Sequence, residues 1–566
     1  MSNRKSRLVF GLVVLATITS VVLAGCGPTP TPVPPTKAPE PTTPPAAPTP
    51  TPLPPKPKVL RIAFATFPDV IDPQKSSFVG EIAMLNLAYE GLTRVDVKGN
   101  VVPGAADKWE YKEGGKKLVF HIRDGLKRAD GTPVTAKDFE YALRREVDPR
   151  VPGKQYTSIV YDIKGAQKID GMDPKKVKSE DIDKALATEY GVKALDASNL
   201  EIEFEKPVGF WLYVASTWVV YPSDKTRVDK DPDNWWIKAE GHNGNGPFKV
   251  QAIEEGKRII FVPNPNYWGG KAKLDRIEYV YITDTAVQFE AYKKGELDII
   301  GIAAEDIATV KADPVLSKEW LHGPAAWTSY LGFNNTKKPF TDKNVRIAFS
   351  QAFDRKAWAQ DILKGLAEPY RSWVPPGVPG YDPTALVPDS DPKAAVETLI
   401  KAGYGTPDGK KVDCAKLGEI RITYAATARN HPRFQFIAGN FARVFGCPVI
   451  LDPVDPTVYT ALVKKVETTP QVFYLGWIED YHHPQNWLSV FWVCGGFAKR
   501  TGYCSKEFDA AVGKADAETD MTKAVELYKA AQKIVVNDIP VAFVVYNTYD
   551  YLVKPYVIGP KDNFTS

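Results

Sequence analysis

Residues 27–57 are a proline-rich segment that cannot contribute to a packed core. Nearly half of them are proline, and most of the others are threonine, alanine or valine. Because proline has no backbone N–H and a fixed φ, such a segment forms an extended polyproline II-like chain rather than a regular helix or a paired strand. At about 3.1 Å per residue it reaches about 90 Å at most. We therefore predict a linker at 27–57 and a folded body in residues 58–566.

The residues before this linker have the order of an export signal. Three basic residues between positions 4 and 7 precede an uncharged apolar run, Leu8–Ala24, which is shorter than the roughly 20 residues that span a membrane. The run ends in Leu-Ala-Gly-Cys at 23–26, which resembles the lipobox of bacterial lipoproteins. Residues 1–26 are therefore predicted to be a lipoprotein signal peptide. Cys26 would carry the lipid and hold the protein outside the bacterial cell membrane, in the periplasm or at the cell surface. An uncleaved signal anchor is the alternative.

The charge balance of the body argues against nucleic acid as a partner. The whole chain has 72 Lys+Arg and 68 Asp+Glu, and removing the three basic residues of the signal leaves 69 against 68. A nearly neutral chain gives no indication of the basic surface that binds phosphate backbones. No second apolar run approaches membrane-spanning length. A body of about 500 residues is expected to divide into two or three lobes.

Four cysteines remain besides Cys26, namely Cys414, Cys447, Cys494 and Cys504. In an oxidising compartment they can pair in three ways. Cys494 and Cys504 would close a short loop, so we favour that bond together with Cys414–Cys447. Four buried free thiols are the alternative.

Strand-like and helix-like stretches alternate along the body without an internal repeat. Alternating apolar residues predict strands, and apolar residues at helical spacing predict helices. Thr135 is suited to cap one of these helices. The order favours an α/β fold in which helices cover sheets. The predicted strands are Val59–Phe64, Lys117–Ile122, Leu200–Phe204, Glu419–Tyr424, Gln471–Leu475 and Val541–Tyr546, and the predicted helices are Glu81–Glu90, Ala136–Arg145, Val345–Lys364 and Lys523–Asn537.

Several blocks rich in glycine, proline and aromatic residues follow one another along the body. They are VVPGAADKW at 101–109, LVFHIRDGLKRADGTPVTAKDFEYALRR at 118–145, NGPF at 245–248, NPNYW at 264–268, GELD at 295–298, LGFNNTKKPFTDKNVRIAFSQAFDR at 331–355, GWIEDYHHP at 476–484 and LVKP at 552–555. Each block alone is compatible with many folds. Their order over nearly the whole body resembles the family 5 extracellular solute-binding proteins, receptors that deliver dipeptides and oligopeptides to ABC importers.

The resemblance implies an α/β fold of the periplasmic-binding-protein type II-like kind, with two main lobes around a ligand cleft and an extra third lobe. The ligand would lie between lobes I and III, which close on it by a hinge motion. The implied partners are a peptide or small-molecule ligand and the permease subunits of an ABC importer, and a monomer is expected. Lobe I would comprise residues 58–99, 219–322 and 539–566, lobe II residues 100–218, and lobe III residues 323–538.

The block at 476–484 contains the main candidate for ligand binding. Asp480 occupies the position where peptide-binding members of the family have an aspartate that pairs with the ligand's α-ammonium group. A carboxylate in a water-poor cleft makes a charge-assisted hydrogen bond of about 1.5–3 kcal/mol. The alternative is that Asp480 caps a helix over Gln485–Trp492. The neighbouring Glu479 is expected to face solvent.

The other candidate ligand-binding residues are Gly476, Trp477, Tyr481, Trp487 and Tyr474. Aromatic side chains give a cleft apolar walls that accept varied side chains or sugar rings, although most aromatic residues of the body are expected in the core. Some peptide-binding members of the family have an arginine at the position of Tyr474, where it meets a ligand carboxylate. That carboxylate must therefore be recognised elsewhere, or the ligand lacks one. An oligosaccharide is the alternative ligand.

The sequence lacks the signals of a metal site or a catalytic site. It has no Cys-x-x-Cys, and the adjacent His482 and His483 point in different directions and make a poor chelate. The Gly-x-Ser-x-Gly and His-Glu-x-x-His motifs of hydrolases are absent, as is the phosphate-binding loop of an ATPase. We predict a receptor without catalytic activity and without a cofactor. A secreted hydrolase is the less favoured alternative.

Overall fold

The structure, a computed structural model, describes residues 57–559 apart from 69, 155, 428–429, 456–457, 460–461 and 464. The predicted signal peptide, the lipidation site Cys26 and nearly all of the linker lie outside the described residues. Within the described part, no helix combines the length and the apolar character needed to cross a membrane.

The strands of the body form a large sheet, a small sheet and a two-stranded hairpin. In chain order the strands are β1 (Val59–Phe64), β2 (Thr93–Val95), β3 (Val101–Pro103), β4 (Ala106–Lys112), β5 (Lys117–Ile122), β6 (Val192–Ala194), β7 (Asn199–Glu203), β8 (Phe248–Glu254), β9 (Arg258–Pro263), β10 (Arg276–Tyr281), β11 (Ile299–Gly301), β12 (Trp320–Phe333), β13 (Ala367–Pro369), β14 (Ile420–Ala425), β15 (Val449–Val454), β16 (Val472–Ile478) and β17 (Val541–Val553). The large sheet has eleven strands in the order β15-β14-β16-β12-β17-β11-β1-β10-β9-β8, with β13 paired to β17. The small sheet has the order β4-β5-β7-β6, and β2 pairs with β3.

Two long antiparallel strands, β12 and β17, connect the two halves of the large sheet. Their register shifts between Pro324 and Thr328 and again between Ser329 and Tyr330. The predicted boundary between lobes I and III, after residue 322, falls inside β12. The residues assigned to these two lobes therefore share one continuous sheet. Because irregular pairing disrupts the hydrogen-bond ladder and bends a strand, the sheet is locally irregular at residues 324–330.

The small sheet lies within residues 106–203, inside the range predicted for lobe II. In β5, Leu118, Phe120 and Ile122 are buried and the residues between them are half-buried. This is the period-two pattern from which the strand was predicted. The helix Ala136–Val147 begins after Thr135, whose backbone N–H donates to the Asp138 carboxylate over 2.7 Å, so the predicted cap is confirmed.

Helices cover both sheets, as the alternation of elements predicted. The α-helices are Val79–Ala88, Ala136–Val147, Ala166–Asp170, Ser179–Thr188, Trp211–Val214, Lys225–Lys230, Thr285–Lys293, Ile307–Ala312, Leu316–Glu319, Lys343–Ala352, Arg355–Ala357, Pro392–Leu399, Cys414–Leu417, Asn430–Phe445, Pro484–Trp492, Lys506–Ala517 and Met521–Asp538.

The prediction of one helix over 345–364 is wrong, because the helix ends at Ala352. The side chain of Arg355 is almost fully buried and donates to the carbonyl oxygens of Ser350 and Phe543, each over 2.8 Å. The Asp354 carboxylate accepts from the backbone N–H of Ala357 over 3.0 Å and starts a new turn. Phe543 lies in β17, so a contact distant in sequence interrupts a stretch whose local apolar spacing is helical.

Both disulfides favoured from the sequence are present. Cys414 and Cys447 are bonded with their Cα atoms 5.4 Å apart. Cys494 and Cys504 are bonded with a Cα separation of 4.6 Å and close the loop that follows the helix Pro484–Trp492.

Candidate ligand-binding site

A cavity of about 750 Å³ opens between the residues assigned to lobes I and II on one side and the end of β16 on the other. Its volume is typical of sites that hold small ligands. One wall consists of residues within 77–97 and 216–221 together with Tyr156, Pro247 and Tyr267, and the facing wall consists of residues 478–482. Asp480 lies in this second wall, so the structure places the main sequence candidate at a cavity.

Asn486 holds the residues around Asp480 in position. Its Oδ1 atom accepts from the Trp477 indole N–H and from the Asp480 backbone N–H, each over 3.1 Å. Its Nδ2 atom donates to Asp480 Oδ2 over 2.9 Å. One amide on the helix Pro484–Trp492 thus fixes the end of β16, the backbone at 480 and the orientation of the carboxylate.

The Asp480 carboxylate is in an environment that favours its neutral form. Burial raises its pKa to about 6, and Glu479 next to it acts in the same direction, whereas the hydrogen bonds with Asn486 and Tyr156 lower the pKa. No basic side chain is among the causes of the shift. A carboxylate with this environment gains most from a cation that arrives with a ligand.

The capping role considered for Asp480 belongs instead to His483. The helix starts at Pro484, and the Nδ1 atom of His483 accepts from the backbone N–H of Gln485 over 3.1 Å. Burial lowers the pKa of His483 to about 3, so its imidazole is neutral at neutral pH, as this acceptor role requires. Asp480 is therefore not needed for the helix.

The expectation that Glu479 faces solvent is wrong. Its side chain is 6 % exposed, accepts from the Trp487 indole N–H over 3.2 Å, and lies 3.0 Å from His482 Nδ1. The carboxylate points back into the protein because these two polar groups of the following residues need an acceptor there. Asp480 is left as the carboxylate of this pair that interacts with the facing wall.

The aromatic candidates divide into one that lines the cavity and two that support it. Tyr481 lines the cavity and packs into the core of the opposite wall. Trp477 packs against Phe491 and Phe497, with ring centroids 5.1 and 4.9 Å apart. Trp487 is fully buried, so it stabilises the helix and does not contact the cavity.

Tyr474 and Gly476 lie on β16 before the cavity. The Tyr474 ring packs on Trp358 with a centroid distance of 5.4 Å and is not part of the cavity lining. A Cβ atom at Gly476 would lie 2.5 Å from the Trp327 indole nitrogen, so glycine lets that indole cover the strand. These two residues shape the strand without contacting the cavity through side chains.

Residues 100–499 match the sequence profile of the bacterial extracellular solute-binding proteins, family 5, middle part. The match includes β16, Asp480 and the helix that positions them. It covers 400 of the 566 residues. The chain belongs to this family.

Named relatives in this family align over nearly the whole body. The oligopeptide-binding protein OppA of Bacillus subtilis is 29% identical over 499 residues, which cover 86% of this chain and 87% of that protein. The periplasmic murein peptide-binding protein MppA of Escherichia coli is 26% identical over 502 residues, 87% of this chain and 88% of that protein. A solved structure of the murein tripeptide-binding protein MppA, in an unliganded open form, aligns with a TM-score of 0.73 and 25% identity over 90% of this chain and 96% of that chain. The fold predicted from the sequence blocks is confirmed.

In this family member the two walls of the cavity touch through the loop that carries Asp480. A Cβ atom at Gly99 would lie 2.4 Å from the His482 ring, so glycine allows the turn after β2 to reach that ring. The His483 ring packs on Tyr213 with a centroid distance of 4.8 Å. Outside this loop, a further contact joins Gly209 to the helix Lys506–Ala517, where the Gly209 backbone N–H donates to the carbonyl oxygen of Asp516 over 2.9 Å. His482 and His483 thus serve packing, and no group of three metal-binding side chains occurs in the described residues.

Sequence reasoning missed three residues that organise the site: Tyr156, Asn486 and His483 in its capping role. Asn486 lies six residues after Asp480 in a block that was already singled out, so an amide near a candidate carboxylate was the available signal. No sequence signal pointed to Tyr156, because it comes from another part of the chain and contacts Asp480 only after folding.

Proposed function

We propose that this protein is a lipid-anchored, extracytoplasmic solute-binding protein that captures peptides and delivers them to the permease of an ABC importer. The observation that carries the proposal is the Asp480 carboxylate in the cavity wall, which Asn486 orients and which forms no ion pair with a basic side chain of the described residues. The ligand's α-ammonium group supplies the missing cation. The names of the two relatives, an oligopeptide-binding and a murein peptide-binding protein, support peptides as the ligand class.

The backbone of β16 supports an extended ligand next to Asp480. Tyr474 uses its N–H and C=O for the Tyr459 hydroxyl, on the side of β16 that faces away from β12. The backbone N–H of Glu479, five residues after Tyr474, donates to the carbonyl oxygen of Ala326 in β12. By the alternation of a strand, the N–H and C=O groups of Gly476 and Ile478 point away from β12.

This outer edge of β16 is open near the cavity. On that side, among the described residues, β14 pairs with β16 only at Val472. An extended peptide can therefore add to the edge as a further strand, with backbone hydrogen bonds that do not depend on its side chains. Its amino terminus reaches Asp480 when the peptide lies along Gly476 and Ile478.

The predicted amino-terminal segments define how the receptor meets its importer. A lipid on Cys26 keeps the protein at the membrane, and the linker 27–57 gives it a reach of about 90 Å. That reach lets a monomeric receptor reorient and dock on the permease. The proposal involves no catalysis, no cofactor and no nucleic acid.

Binding measurements on the mature chain from Cys26 test the proposal. A thermal-shift screen would compare peptides of two to six residues, the same peptides with an acetylated amino terminus, and oligosaccharides, because a ligand that binds the folded state raises Tm. We expect free-amine peptides to bind and acetylation to weaken them at least thirtyfold. If oligosaccharides bind and peptides do not, the ligand class is oligosaccharides and the peptide assignment is wrong. Release of cleaved products by the protein alone would support a hydrolase.

Peptide affinity should fall in acid with the titration of Asp480. Its pKa is raised to about 6, so below this pH the carboxyl group holds a proton that it must lose before it can pair with an ammonium group. We expect the lowest Kd near pH 7 and an increase of about tenfold between pH 7 and pH 5, measured by calorimetry.

A second acid with a similar pKa gives a control for this pH profile. Burial also raises the pKa of Asp516 to about 6, but its carboxylate accepts from Ser489 and Tyr528 and does not line the cavity. The variant Asp516→Asn should keep the pH dependence, and Asp480→Asn should lose it. A flat profile in the unsubstituted protein would contradict the role of Asp480.

A further inference from the structure

Four large apolar side chains in the lining of the cavity are exposed. Phe78 is 67%, Val79 68%, Val97 53% and Ile478 45% exposed, and all four line the cavity that contains Asp480. They come from three separate segments on both walls. Exposed apolar side chains that are scattered singly are ordinary, but several that converge on one cavity mark a binding surface.

Phe78 is notable because of its position in the helix that follows it. It is the N-cap residue of Val79–Ala88, where a polar side chain would accept a backbone hydrogen bond, and Phe78 offers no such group. The Glu81 carboxylate accepts from the backbone N–H groups of Ser77 and Phe78 instead, over 2.7 and 3.1 Å. Phe78 therefore caps the helix only through its backbone, and its side chain serves another role at the cavity.

The position of Ile478 indicates which residues of a bound peptide would contact this apolar surface. It lies two residues before Asp480, a distance of about 7 Å along an extended chain. A ligand strand beside β16, with its amino terminus at Asp480, brings its first two residues next to Ile478. Phe78 and Val79 belong to the facing wall of the same cavity.

We propose that the receptor selects peptides with a large apolar side chain at the first or second position, which these four residues bury. The selection rests on the proposed function, because the register is set by the ammonium group at Asp480. Two acidic side chains near this surface are already engaged: Glu479 as described above, and Asp96 by the backbone N–H groups of Lys98 and Asn100. The occupant is the ligand and not another protein, because the four side chains line the cavity that holds Asp480.

A peptide panel with the unsubstituted mature chain tests the selection. Tetrapeptides with a free amine would carry Leu, Phe, Ser or Lys at position one, two or three and alanine elsewhere, and Kd would be measured by calorimetry. Burying a leucine or phenylalanine side chain in a partly open site is expected to strengthen binding about tenfold over serine at the first or second position, and less than threefold at the third.

Substitutions in the apolar surface test whether these side chains cause the selection. Val79→Thr and Ile478→Thr keep a β-branched side chain and remove apolar surface, so the fold is maintained, which thermal unfolding would verify. Combined, they should reduce the preference for Leu over Ser to less than threefold. Val315→Thr is the matched control, because Val315 is 60% exposed and does not line the cavity.

The outcomes separate this inference from the proposed function. If acetylation still abolishes binding but no position prefers an apolar side chain, the apolar selection is overturned and the peptide receptor stands. A preference for Lys, or an apolar preference that survives both substitutions, also overturns it. If neither acetylation nor the side chain matters, the proposed function itself fails.

Discussion

The variant Asp480→Asn is expected to bind a free-amine peptide about a hundredfold more weakly than the unsubstituted protein. Asparagine has the shape of aspartate and can still accept the hydrogen bond that Asn486 donates to Asp480 Oδ2. The change therefore removes a charge and little else. Loss of one partner of a buried, hydrogen-bonded charge pair costs about 2–5 kcal/mol, because the other charge is left unpaired in a water-poor site.

Acetylated peptides complete the measurement as a double-mutant cycle. They lack the ammonium group, so Asp480→Asn should change their affinity by less than threefold. The difference between the effects of Asp480→Asn on free-amine and acetylated peptides gives the coupling between the carboxylate and the ligand charge. Asp96→Asn is the matched control, because Asp96 also lines the cavity but uses its carboxylate within its own turn. An equal loss of affinity in both variants would indicate a general effect of cavity charge, and the assignment of Asp480 would then be wrong.

The variant Gly209→Ala is expected to weaken peptide binding at least tenfold by separating the two walls. A Cβ atom at Gly209 would lie 1.9 Å from the carbonyl oxygen of Glu518, and the Gly209 N–H donates to the Asp516 carbonyl oxygen in the same contact. Both partners of the clash are backbone, which cannot move aside as a flexible side chain can. The φ of Gly209 is not positive, so alanine introduces no strain of its own.

Scattering and binding together test this expectation. Gly209→Ala should show a larger radius of gyration with saturating peptide than the unsubstituted protein, and a higher Kd, at nearly unchanged Tm. Gly513→Ala is the control, since it lies on the neighbouring helix Lys506–Ala517 with no atom within 4 Å of its added Cβ. Unchanged affinity in Gly209→Ala would mean that contact between residues 209 and 516–518 is not needed to hold the ligand.

Sequence reasoning located most secondary structure but not the packing that interrupts it. The strand β1 has its predicted bounds, and β5 does as well. The capped helix after Thr135 begins where predicted and runs two residues further. The helix over 345–364 was wrong because the buried contacts of Arg355 with β17 outweigh the local apolar spacing. Signals within a few residues of each other are readable in a sequence, whereas a contact between positions 355 and 543 is not.

At the candidate site, the sequence by itself determined which loop carries the carboxylate and which family the blocks resemble, and it favoured one of the three possible cysteine pairings. These depend on short motifs and on loop length. Only the tertiary structure decided that Asp480 faces a cavity, that Asn486 orients it and that Glu479 turns inward. It also decided that, among the described residues, no strand pairs with the outer edge of β16 beside Asp480. Burial and hydrogen bonding decide these points, and both depend on partners such as Tyr156 that come near Asp480 only when distant parts of the chain pack together.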